Sequence, residues 1–155
     1  FVMLRTVTNL VAEGKKEKAI NMCHKYFEVF PQMNFVDNYY QVAVADQMVR
    51  LGEYAAAKPY LQAVADETID NLDFFRATGI LEAAEINSQA DYMIRRGELT
   101  EAGFTRMEDY GFSRDVLLAQ KTLNDVITSV KSSGQDDEYA SELEGILSNN
   151  AQLNQ

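Results

Sequence analysis

Few side chains in this chain carry the chemistry of a reaction centre. His24 is the only histidine, and Cys23, beside it, is the only cysteine. A thiol becomes a nucleophile when its pKa is lowered, but Lys and His neighbours in sequence do not by themselves lower it. Cys23 falls on an inward helical position and reads as a small core residue, with His24 on the surface of the same helix. One histidine excludes a multi-histidine metal site, and any Ser-His-Asp set would have to run through it. The carboxylate pairs Asp66-Glu67 and Asp136-Asp137, and Glu82 with Glu85 one turn apart, have the make-up to share a proton or hold a hard cation. In a chain with 24 acidic and 14 basic residues they read as solvated faces. Neither a glycine-rich phosphate loop nor an EF-hand spacing occurs. The expectation is a stretch of chain with no catalytic residue, no cofactor and no metal, enzyme activity being left open only for a longer parent chain.

The elements around these residues are helices joined by a recurring turn. The pattern Gly-x-x-x-x-Ala occurs as Gly14 to Ala19, Gly52 to Ala57 and Gly97 to Ala102. Glycine ends a helix by taking a positive φ at little steric cost, and the alanine sits where the second helix crosses the first and lets the two approach. One turn before each glycine stands an apolar residue, Leu10, Met48 or Met93, and seven positions before it a slim one, Val7, Ala45 or Ala90. Four positions after the alanine the first two copies place Cys23 and Leu61 inward, while the third has Arg106. Helical periodicity predicts helices near 2–13, 16–30, 36–51, 54–76, 80–96, 99–110, 113–132 and 136–148. Pro59 is expected within about the first turn of the fourth helix, where its missing N–H does least harm. After Ser113, the expected N-cap, the residues Val116, Ala119, Leu123, Val126, Ile127 and Val130 form a 3.6-residue stripe. Gly134 begins a further turn with Tyr139-Ala140 near the alanine position, and Asp136, Asp137, Glu138, Glu142 and Glu144 give the last hairpin the polar outer face of a cap. The tail from Ser148, rich in Asn and Gln, is expected to fray.

These features resemble the tetratricopeptide repeat, a helix-turn-helix unit of about 34 residues. Leu4 to Pro31 matches best, LRTVTNLVAEGKKEKAINMCHKYFEVFP, with Pro31 at the family's terminating position. The signature Trp is absent, and Ile69 and Arg114 stand where the later copies would carry proline. The resemblance implies an all-α fold, a right-handed superhelix of antiparallel helix hairpins with about seven to eight helices. Residues 1–155 would then form a single helical-repeat domain, with repeats at about 1–34, 36–70 and 80–112 and a C-terminal capping hairpin at 113–148. The glycines at 14, 52 and 97 lie further apart than the family period, so a regular pitch is not expected.

A formal charge of −10 disfavours nucleic acid and anionic lipid as partners. The basic cluster Lys15, Lys16 and Lys18 reads as solvated surface. No run approaches the roughly 18 to 20 apolar residues that span a bilayer, and no signal peptide opens the sequence, so no direct membrane insertion is expected. One cysteine precludes an internal disulfide. Phe1 is not an initiator methionine and the first helix is already under way at Val2-Met3-Leu4, so a fragment of a longer chain is expected.

A narrower resemblance rests on Leu10 to Pro31, the Asn38-Tyr39-Tyr40 segment and LGEYAAAKPYLQAVADETIDNLDFF from Leu51 to Phe75. These are similar to the C-terminal region of a family of bacterial multi-spanning membrane proteins of unknown function, which in turn resemble C-type glycosyltransferases. Asp115 to Leu147 is similar more loosely, and Gly97 to Gly111 departs from the pattern. The resemblance implies a soluble appendage on the extracytoplasmic face of the inner membrane, with the catalytic carboxylates in a membrane part outside this sequence.

In tetratricopeptide arrays the first helices of the hairpins build the concave wall. Here they offer Arg5 and Thr8, then Tyr39, Val42, Asp46 and Arg50, then Asn87, Asp91 and Arg95. The Lys/Asn pattern that clamps a peptide carboxylate is missing, and Asp46 and Asp91 would repel one. The candidate groove is therefore Arg5, Tyr39, Asp46, Arg50, Asn87, Asp91 and Arg95, facing a protein or peptide partner. Tyr39, Tyr40 and Arg50 are types that anchor interfaces, although helix packing accounts for at least one of the tyrosines. Tyr26, Phe27, Phe30, Phe35, Phe74 and Phe75 read mostly as core. Two function classes stay open: a non-catalytic interaction or structural domain attached to a membrane glycosyltransferase-like protein, and a free-standing cytoplasmic adaptor that binds a peptide in its groove.

Overall fold

The computed structural model describes residues 2–30, 38–77 and 112–152. Among the described residues are six α-helices in three pairs. Helix α1 (Val2–Ala12) pairs with α2 (Lys16–Val29), α3 (Asn38–Arg50) with α4 (Tyr54–Ala77), and α5 (Phe112–Ser133) with α6 (Asp137–Gln152). Each pair folds back antiparallel across a three-residue turn. The helices expected at 80–96 and 99–110, and with them the Gly97 turn, lie outside the described residues.

The turns form as the glycine pattern predicts. Gly14, Gly52 and Gly134 take φ values of 70°, 85° and 63°, where a Cβ would be strained. At the first two turns the backbone closes in a Schellman arrangement. Lys15 N–H donates to the Leu10 carbonyl and Glu53 N–H to that of Met48, both over 2.9 Å, which satisfies carbonyls the helix end would otherwise leave open. The alanines occupy one register in all three hairpins. Ala19, Ala57 and Ala140 are each the fourth residue of the second helix, bonding back to Lys15, Glu53 and Asp136, and all three are buried. At the last turn the glycine comes one position earlier, so Ala140 rather than Tyr139 takes the crossing point.

The hairpins stack by a repeating contact. Helix α3 lies against both α1 and α2, and α5 lies against both α3 and α4, with α4 on α5 the most extensive contact between helices. The second helices meet as well: the Phe27 ring of α2 stacks on Tyr60 of α4, centroids 3.5 Å apart and planes within 7°. The core runs continuously through the stack, from Val7 and Cys23 through Ala45, Met48, Leu61 and Val64 to Leu123, Ile127, Val130 and Leu143. All six residues of the apolar stripe on α5 are buried.

Three local expectations are corrected. The tail does not fray at Ser148; α6 runs to Gln152, held by Asn150, which accepts from Arg76 of α4 over 2.8 Å and donates to the Ile146 carbonyl. Pro59 lies in the second turn of α4, so the Ala55 carbonyl loses its helical donor; both residues are exposed, and solvent can supply it. Helix α5 begins at Phe112, ahead of the Ser113 expected as its cap, a shift within the ordinary variation of helix ends.

Candidate binding groove

The seam between α3 and α5 is where candidate side chains converge. On α3 the residues Gln41, Val42, Val44, Ala45, Met48 and Val49 are buried, and Tyr39, Ala43, Asp46 and Arg50 run along the edge that borders α5, where Val42 also lines the hollow. On α5 the core stripe likewise sets Asp115, Leu118, Thr122, Asp125 and Thr128 along the facing edge. Two adjoining hollows result. One, of about 220 Å³, is lined by Tyr39, Val42, Ala43, Asp46, Arg50, Asp125 and Thr128. The other, of about 380 Å³, reaches α4 and is lined by Asn38, Tyr39, Thr68, Asn71, Phe75, Asp115, Leu118, Ala119 and Thr122. Tyr39, 42% exposed, is common to both and stands between them.

The two hollows differ in charge. In the smaller one the Arg50 guanidinium donates to Asp46 Oδ2 over 2.6 Å, and the Ser129 hydroxyl donates to Asp46 Oδ1 over 3.0 Å. Asp125 is paired with Lys121 one turn earlier. Both carboxylates are thus compensated, and Asp46 also ties α3 to α5. The larger hollow has one ionised lining residue, Asp115, which meets no cation among the described residues. Asn38 also lines it, with its Oδ1 buried and without a hydrogen-bond partner among the described residues.

Of the residues singled out in the sequence, the structure brings Tyr39, Val42, Asp46 and Arg50 together. Asp46 departs from expectation: bound by Arg50 and Ser129, it is not an open charge that would repel a carboxylate. Arg5 is exposed on α1 and lines neither hollow, and the Thr8 hydroxyl turns back to the Leu4 carbonyl. Asn87, Asp91 and Arg95 lie outside the described residues. The contribution of α5 is not visible in its apolar stripe, which marks only the core. The signal was present in the polar positions flanking that stripe, Asp115, Thr122, Asp125 and Thr128.

The other candidates resolve into structure. Cys23 is fully buried, and burial raises its thiol pKa from 9.0 to about 11, so it is held as a thiol at neutral pH. His24 is exposed. Asp136 does not belong to a solvated acidic face: it accepts from Tyr54 over 2.8 Å and from Lys58 over 2.6 Å, and caps α6 through the Tyr139 backbone N–H. Among the described residues no group of three His, Cys, Asp or Glu side chains could hold a metal ion, and no helix is long and apolar enough to cross a membrane. No family model matches the chain, and neither does a curated protein or a solved structure.

Proposed function

We propose that this domain is a non-catalytic protein-interaction module whose stacked hairpins follow a right-handed superhelix of the tetratricopeptide kind, and that a partner segment lies along the α3–α5 seam. The observation that carries this is the convergence at the seam of Tyr39 and Arg50 from α3 with Asp125 and Thr128 from α5 around one hollow. Tyrosine and arginine are the types that anchor interfaces, and the partly exposed Tyr39 ring offers apolar area with a polar tip. First helices of two hairpins supply both walls, as they do in tetratricopeptide arrays. The wider setting, a soluble extracytoplasmic appendage of a membrane glycosyltransferase-like protein, is supported by the resemblance of Leu10–Pro31 and Leu51–Phe75; a free-standing adaptor would use the same seam.

The test is selection of peptides from a random library on the whole domain, followed by affinity measurement on Thr128→Arg. Thr128 is exposed and its hydroxyl bonds only within α5, so the substitution fills the seam without touching the core. Selected peptides are expected to lose tenfold or more in affinity, about 1.4 kcal/mol. Peptides indifferent to the substitution, or no enriched peptide at all, would overturn the proposal.

A further inference from the structure

We draw no further inference here: the strongest candidate, the hollow of about 380 Å³ that Asn38, Thr68, Phe75 and Asp115 line between α3, α4 and α5, offers an incoming group one exposed carboxylate, and nothing in the structure shows what covers it.

Discussion

The Tyr54 phenol donates to the Asp136 carboxylate over 2.8 Å, joining the first turn of α4 to the cap of α6 across 82 positions of sequence. Lys58, one turn further along α4, reaches the same carboxylate, and its ammonium also lies 5.4 Å from the Tyr139 ring centroid. One side chain thus caps α6 and fastens the α5–α6 hairpin to the α3–α4 hairpin. Tyr54→Phe is expected to destabilise the domain by about 1 kcal/mol in urea unfolding, the usual worth of one such bond. Asp136→Ala, which also removes the cap and strands the buried phenol, should lower Tm further. Asp136→Asn keeps an acceptor and a good cap but loses the charge pair, and should fall between the two.

The same network predicts how stability follows pH. Hydrogen bonds from Lys58 and Tyr54 hold the Asp136 carboxyl below its ordinary value of 3.8. The stability gained from its ionised form is therefore present above pH 3.8 and lost as pH falls through the lower native value. Glu67 behaves oppositely. Burial holds its carboxyl above the ordinary 4.5, so its charge opposes folding at neutral pH and that penalty disappears on acidification through the raised native value. Glu67→Gln should raise Tm at pH 7, with the gain vanishing below about pH 4.5. A gain that persisted at pH 3.5 would contradict the assignment.

The small residues of the turns and helices give substitutions of opposite sign. Gly52→Ala meets only the Lys16 Nζ at 3.9 Å, so its cost is the positive φ alone, about 1–2 kcal/mol. Gly145, inside α6 with nothing near its would-be Cβ, should tolerate alanine with a gain of up to about 1 kcal/mol. Ala57→Leu forces a large side chain into the fully buried crossing of α3 and α4 and should cost roughly 1–3 kcal/mol. Equilibrium unfolding of the three variants checks all three signs.

Cys23 should be silent toward thiol reagents in the native domain. With its side chain fully buried and its pKa raised to about 11, a disulfide-exchange dye is expected to react at the rate of opening rather than at that of a free thiol. Immediate stoichiometric reaction at neutral pH would show that α2 does not pack as described.

The hairpins were legible because their cause is local. A glycine that must take a positive φ, an alanine fixed five positions on and an apolar residue one turn back are each readable without knowing what packs against them. Ala140 was harder because Gly134 comes a position earlier in its turn, which shifts the spacing though not the register of the alanine. Half the candidate groove was legible for the same reason: Tyr39, Asp46 and Arg50 share one face of α3 by spacing alone. The other half depends on which helix stacks on α3. That α5, beginning more than sixty positions after α3 ends, takes that place is a tertiary fact that periodicity does not encode. The role of Asp136 was hidden similarly, since Tyr54 and Lys58 are remote in sequence and an acidic residue before a helix reads as a cap or as surface.

The most direct measurement is the NMR footprint of a library-selected peptide on the ¹⁵N-labelled domain. Binding along the seam predicts shifts centred on Tyr39, Ala43, Asp125 and Thr128, one wall from each helix. Shifts centred instead on the outer face of α6, at Glu138 and Glu142, or on α2 around His24, would contradict the account and move the interaction surface to the other side of the stack.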